Sequence, residues 1–360
     1  MASMNLPMVE NILAQGTSLR TVIAHQYGEG RQALVDAGTL LRSSKQIVLT
    51  GMGVSYNVCL PLSNFLAERG VVAPVIETAE LLYFQNQILT QGATVVLVSR
   101  SGESVEATKV LAMARERGAN VVGVINTPGS TIASQSTQAI YVNSPPDHMA
   151  SIQTYSGSMA VLLLLGAAFA EQLDSGIRND LEKTAAALSR LVPEWLRFSG
   201  SWPGFFATGG PLYLLARGSS LTSALTGALL LEEVVKIPAI AMSAAQFRHG
   251  PVEVVNEQFH ALVFGTQRTT VDLDRTLAER LLEMGAHVRS IGPDWRSSKV
   301  VSLCSWPDDI PERCVPLVDV VPMQIAAYET ARWHGLTIGD LKFATPVTLS
   351  EQDFAVKQPA

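Results

Sequence analysis

Cysteine, excess positive charge and long apolar runs are all scarce in this chain of 360 residues, and each shortage excludes something. The three cysteines, Cys59, Cys304 and Cys314, are odd in number and far apart. They form neither a disulfide framework nor a zinc pattern, so a reducing, cytoplasmic setting is expected. Lysine and arginine total 26 against 32 acids, a net charge of −6 with no basic stripe, which argues against a nucleic-acid partner. The longest strongly apolar run, Met159–Ala170, is too short to span a bilayer. The N-terminus has no basic stretch followed by an apolar one, so neither a membrane span nor a secretory signal is expected. No His, Cys, Asp and Glu cluster has ligand spacing, so no metal and no cofactor are expected.

What the chain does carry is concentrated at Val95–Ser104, V-V-L-V-S-R-S-G-E-S. An apolar strand runs into a hydroxyl-rich loop with a helical segment behind it. Gly102 permits a tight turn. The first amides of the next helix would face an anion, aided by the helix dipole. Ser99, Ser101 and Ser104 add hydroxyl donors, but no lysine completes a Walker-type loop. Neutral donors suit a small monophosphate better than a metal-bound triphosphate. A polar turn with serine caps is the plainer alternative.

The motif neighbourhood repeats. Ile47–Ser55 (I-V-L-T-G-M-G-V-S) resembles Leu212–Ser220 (L-Y-L-L-A-R-G-S-S), pairing Gly53 with Gly218 and Ser55 with Ser220 at an interval of 165 residues. That interval is domain-sized and far longer than a solenoid period. Short β-branched strands alternate with helices in both halves: Ile47–Thr50, Val71–Ile76, Thr94–Ser99, Val121–Asn126 and Ala139–Val142, then Leu212–Ala216, Ala239–Ser243, Ala261–Gly265, His287–Ile291 and Val300–Cys304. Helices are expected over residues 8–43, 151–174, onward to about 198, and 318–335. Continuous apolar strands between helices predict α/β doubly wound domains with parallel sheets. Ser199–Pro211, with four glycines and two prolines, marks the junction. The expected division is a helical segment 1–43, domains 44–198 and 199–335, and an irregular tail 336–360 that wraps over a site or a neighbour. The Gly51-Met-Gly-Val-Ser-Tyr56 turn is a poor dinucleotide fingerprint, because Tyr56 replaces the third glycine.

The densest stretch in the second half is Glu232–Pro251. Leu225, Leu229, Glu232 and Glu233 fall near one helical face. Adjacent acids point about 100° apart, so one turns inward while the other stays solvated. His249 precedes Gly250-Pro251, which fixes its ring at a loop or helix start. His25, His148, His260, His287 and His334 show no partner pattern and read as structural or exposed.

Taken together, Gly53–Tyr56, Ser99–Ser104, Asn126–Ser130, Ala150–Ser151, Leu225–Glu233, Arg248–Pro251 and Pro346–Leu349 resemble the tandem SIS (sugar isomerase) domain family. The likeness is to the isomerase half of glutamine–fructose-6-phosphate amidotransferase and runs from about residue 8 to 350. It implies two tandem flavodoxin-like domains, each with a five-stranded parallel sheet, and a phosphosugar site involving both. By resemblance, Ser99, Ser101 and Ser104 hold the sugar phosphate, with Gly53, Ser55 and Gly102 nearby, and Ser151 contacts sugar hydroxyls. Glu233 matches the proton-shuttling base. His249 matches the ring-opening histidine, which the family takes from the other subunit, so a homodimer with shared sites is implied.

The departures are equally informative. The glutaminase half and its cysteine nucleophile have no counterpart in this sequence. The family's imine-forming lysine falls at Thr345, two further lysines fall at Leu230 and Gln153, and a glutamate falls at Thr226. That pattern resembles the sibling amino-sugar-phosphate deaminases and fructosamine-6-phosphate deglycases, whose substrates already carry nitrogen. Three functions follow: a hexosamine 6-phosphate isomerase or deaminase, a deglycase releasing an amine or amino acid, and a non-catalytic phosphosugar sensor. A sensor has no use for the Glu/His pair.

Overall fold

The computed structural model describes residues 6–147, 149–207, 209–295, 298–307, 309–339, 341–345 and 347–352. Among the expected features, His148 and Pro346 lie outside them. The chain forms two compact units, residues 17–182 with 340–360 and residues 1–16 with 183–339. The borders at 16/17 and 182/183 fall inside helices, α1 (Leu6–Tyr27) and α9 (Arg178–Phe198).

In the first-sheet unit the order is α2 (Arg31–Ser43), β1 (Gln46–Gly51), α3 (Val54–Asn57), α4 (Cys59–Ala67), β2 (Val75–Glu77), α5 (Thr78–Tyr83), β3 (Ala93–Ser99), α6 (Val105–Glu116), β4 (Asn120–Ile125), α7 (Thr131–Gln135), β5 (Gln138–Tyr141) and α8 (Gln153–Phe169). All strands are parallel, in the order β2-β1-β3-β4-β5. Every residue of β3 is buried. Val95, Leu97, Val121 and Ile125 lead the core between this sheet and α6. Each such side chain contributes about 1.5–3 kcal/mol by leaving water.

The second-sheet unit continues with α10 (Pro203–Phe206), β6 (Leu212–Ala216), α11 (Leu221–Leu230), β7 (Ile240–Ser243), α12 (Ala244–Phe247), β8 (His260–Phe264), α13 (Val271–Glu283), β9 (His287–Ile291), β10 (Val301–Cys304), α14 (Val315–Val318) and α15 (Val321–Trp333). Its strands, also all parallel, are ordered β10-β9-β8-β6-β7. Each sheet therefore has the flavodoxin-like order 2-1-3-4-5, in which ligands sit beyond the carboxyl ends where the order reverses. The reversal lies between β1 and β3 in one unit and between β6 and β8 in the other. The equivalent turn glycines share one backbone, with φ of +53° at Gly53 and +54° at Gly218.

Three expected elements differ. The helix over 8–43 is two helices, interrupted by the Gly28–Gly30 turn. Strand pairing in Val71–Ile76 begins only at Val75, and Val72 is left 83% exposed. The helix expected from 151 starts at Gln153, leaving Ser151 in the bend before it.

Candidate functional site

The serine loop leaves β3 at Ser99 and enters α6 at Ser104, its N-cap. Two of its hydroxyl oxygens accept bonds from the loop's own amides, Gly102 N–H to Ser99 Oγ at 3.1 Å and Glu103 N–H to Ser101 Oγ at 3.2 Å. Those bonds shape the loop and use each oxygen as an acceptor, so each hydroxyl keeps its proton as a donor. Ser104 makes no side-chain capping bond. Gly102 has φ of +69°, and a Cβ there would lie 2.1 Å from Ser130 Oγ, so only glycine fits. Glu103 is spent on structure, because its carboxylate accepts from the Thr131 amide at 2.7 Å and hydroxyl at 2.8 Å.

The neighbouring strand ends complete this edge. Gly53 and Ser55 form the turn after β1, which pairs with β3. The Arg100 carbonyl accepts from Asn126 N–H at 3.2 Å and Thr127 Oγ1 at 3.1 Å. The Arg100 side chain donates to the Met149 carbonyl, two residues before Ser151. The residues expected to grip phosphate and sugar thus gather on one edge of one unit. Sequence reasoning missed Asp147. Its carboxylate accepts from the amides of Ile152, Gln153 and Thr154 and the Thr154 hydroxyl, fixing the bend that holds Ser151. The available signal was an acid just ahead of an apolar helix, displaced from the usual cap position.

The described tail residues, 341–345 and 347–352, are irregular and belong to the same unit. The Thr348 carbonyl accepts from Val105 N–H, the first helical amide of α6, at 3.0 Å. Glu351 holds it there, bonded to Lys109 Nζ at 2.5 Å and Tyr83 Oη at 2.5 Å. Those partners keep the Glu351 carboxyl below its ordinary range, Lys109 foremost. Thr345 donates its hydroxyl to the Val347 carbonyl at 2.9 Å.

The second-sheet unit closes the equivalent edge with its own side chains. Asp319 is fully buried and accepts from Ser223 Oγ at 2.5 Å and Thr266 Oγ1 at 3.3 Å. Ser220, the counterpart of Ser55, meets Thr266 Oγ1 at 2.5 Å and accepts from Gln267 Nε2 at 2.9 Å. Burial pushes the Asp319 carboxyl up to about 7, against the pull of the Ser220, Ser223 and Thr266 hydroxyls. In the same unit, Asp274 is fully buried and bonded to Arg217 Nε at 2.6 Å. The two copies of the turn thus differ in their surroundings: beside Gly218 the Ser220 and Thr266 hydroxyls are tied to each other and to Asp319.

Glu233 sits half-buried in a π-type turn, Leu231–Val235, continuing α11, while Glu232 is exposed. The face shared with Leu225 and Leu229 is the less buried one. Thr222, Ser223, Ala224, Thr226, Gly227 and Ala228 pack inward instead. A Cβ on Gly227 would lie 2.6 Å from Met323 Cγ, so α15 admits only small residues there. Helix α11 starts beyond the carboxyl end of β6 and runs back along the sheet. Glu233 comes twelve residues after Leu221, roughly 18 Å along the axis. His249 instead follows β7 and α12 in an exposed turn on the carboxyl side. Within one chain the two residues belong to opposite edges of the unit.

Comparison with known proteins matches the pattern of the SIS domain at residues 40–168 and 208–331. The chain belongs to the SIS domain family. It is 26% identical over 334 residues to the isomerizing glutamine–fructose-6-phosphate aminotransferase of Pyrococcus horikoshii, covering 91% of this chain and 55% of that protein. Against the Chlorobaculum tepidum protein of the same name it is 28% identical over 324 residues, covering 83% and 50%. The chain therefore spans about half the length of these curated relatives. Its fold is similar to the C-terminal domain of glucosamine-fructose-6-phosphate aminotransferase from Francisella tularensis, with TM-score 0.80, 19% identity and coverage of 92% and 97%. The tagatose-6-phosphate ketose/aldose isomerase of Escherichia coli gives 0.74 at 20% identity, covering 92% and 93%. Among the described residues no helix is long and apolar enough to cross a membrane, and no group of three His, Cys, Asp or Glu could hold a metal.

Proposed function

We propose that this chain is a hexosamine 6-phosphate isomerase/deaminase, acting in the cytoplasm as a homodimer with shared sites. The observation that carries this reading is the contrast between the two sheet edges. One is lined by the Ser99, Ser101 and Ser104 hydroxyls, whereas at the other Ser220 and Thr266 bond each other and Asp319, which supports a single phosphate cradle in the SIS domain pair. Ser99, Ser101 and Ser104 hold the sugar phosphate beside Gly53, Ser55 and Gly102, and Ser151 bonds the sugar hydroxyls. His249 protonates the ring oxygen as the ring opens. Glu233 takes the C2 proton of the open-chain amino aldose and delivers it to C1, giving a ketimine through an enolamine. Water adds to the imine carbon and ammonia leaves, so glucosamine 6-phosphate and water become fructose 6-phosphate and ammonia. Thr345 has no amine to form an imine with a ketose, which favours a substrate already carrying nitrogen.

Proton NMR of the purified protein with glucosamine 6-phosphate, fructose 6-phosphate plus ammonium, and 6-phosphofructosyl lysine and aspartate tests this. Ammonia release from the first supports the reading, and amino-acid release makes the chain a deglycase. Turnover of none of them leaves the phosphosugar sensor.

Ser101→Ala is expected to weaken sugar-phosphate binding by about 1.5–3 kcal/mol, the worth of a hydrogen bond to a charged group. The dephosphorylated sugar should bind the variant as it binds the wild type. Calorimetry with both ligands checks this, and equal losses would remove Ser101 from the phosphate contact.

Site sharing is supported by the position of Glu233 after α11 and of His249 after α12, at opposite edges of the second-sheet unit. Mixed dimers of Glu233→Gln and His249→Ala chains should regain activity, because one of their two sites keeps both groups. Verified heterodimers that stay inactive contradict sharing.

A further inference from the structure

The second-sheet unit has a cleft of about 830 Å³ at the amino ends of β8, β9 and β10, walled by Phe198, Trp202 and Phe205. An interior strand of a parallel sheet is ordinarily apolar on both faces. Strand β9 reads His-Val-Arg-Ser-Ile and departs from that rule. Val288 turns into the core beneath α13, while His287 and Arg289, two residues apart, share the other face and line the cleft. His260 pairs in register with His287 across the sheet. Their rings stack with centroids 4.6 Å apart at 18°, and the edge of Phe205 meets His260 at 5.3 Å. His260 Nδ1 lies 3.0 Å from the Gln258 carbonyl, which orients the ring, and burial lowers its pKa. An adjoining recess of about 220 Å³ shares Phe205, His287, Arg289 and Val301 and adds Lys299 with the apolar Leu282, Ala286 and Val288. The acid on the cleft wall is Glu257.

We infer that this cleft binds a nucleoside monophosphate, its base on the His287 ring and its phosphate between Arg289 and Lys299. A flat ring next to a guanidinium and an ammonium calls for a ligand that is planar at one end and anionic at the other. Two residues along a strand separate platform and charge by about 6.6 Å. A sugar bridges that span between base and phosphate, whereas a carboxylate attached directly to a ring does not. The volume suits a small-molecule site. This inference is independent of the sugar-phosphate chemistry assigned to the serine loop.

The test is calorimetry on the full-length protein with AMP, adenosine and ribose 5-phosphate, repeated on Arg289→Gln and His287→Ala. AMP should bind saturably, and adenosine and ribose 5-phosphate should each bind about tenfold or more weakly, since each lacks one of the two contacts. Both variants should keep the wild-type melting temperature and lose AMP affinity by a similar factor. Fructose 6-phosphate should leave AMP binding unchanged. Absence of saturable AMP binding, or wild-type affinity in both variants, overturns the inference. So does AMP binding that fructose 6-phosphate displaces and Ser101→Ala abolishes, which would put the nucleotide in the serine loop.

Discussion

Glu233→Gln is expected to lower kcat on glucosamine 6-phosphate by roughly 10²–10⁴, the usual worth of a positioned acid–base group. KM should change little, because the residues proposed to contact the phosphate and hydroxyls, Ser99–Ser104 and Ser151, lie on other elements. The amide keeps the shape and hydrogen-bonding reach of the carboxylate but cannot carry the proton from C2 to C1. Half-burial in the π-type turn sets Glu233 apart from its exposed neighbour, so Glu232→Gln should stay within a few-fold of wild type. Steady-state ammonia release on the two variants decides the matter. A kcat for Glu233→Gln within a few-fold of wild type would remove Glu233 from the role of base.

The second large effect concerns Asp319 and is one of stability. Its carboxyl is raised to about 7 by burial, above its ordinary value of 3.8. Folding therefore takes up a proton between those values, and the associated stability is complete below the lower and lost as pH rises through the upper. Between pH 5 and pH 8 the loss is on the order of 2–3 kcal/mol. Asp319→Asn keeps an acceptor for the Ser223 and Thr266 hydroxyls and has no proton to lose. The variant should be more stable than wild type at pH 8, and its stability should fall less steeply with pH. Urea unfolding at the two pH values, followed by the fluorescence of tryptophans in the second-sheet unit, measures the difference. An unchanged slope in the variant would mean that Asp319 keeps the same charge in the folded and unfolded states.

Strands bounded by turn residues could be read from the sequence closely, as with Leu212–Ala216 and His287–Ile291. Val71–Ile76 could not, because apolar residues mark a strand only where a neighbour pairs with them, and that pairing starts at Val75. The serine loop was legible because its residues are contiguous and its turn demands Gly102. Asp319 was invisible because its partner Ser223 is 96 residues away. Helix α11 misled for a related reason. Spacing grouped its leucines with the acids, whereas the closeness of α15 decides that serine, threonine and glycine go inside. The separation of Glu233 from His249 likewise depends on the direction of a helix against its sheet, which a linear spacing of sixteen residues conceals.

The twin turns at Gly53 and Gly218 bear on the ancestry of the molecule. A scaffold that exists twice needs to keep only one working mouth, and the spare copy is released from the duty of staying hollow. Here the second copy ties its hydroxyls to Asp319 and its Arg217 to Asp274, so its side chains bond one another. One turn geometry, present twice, thus stands in two different hydrogen-bonding settings.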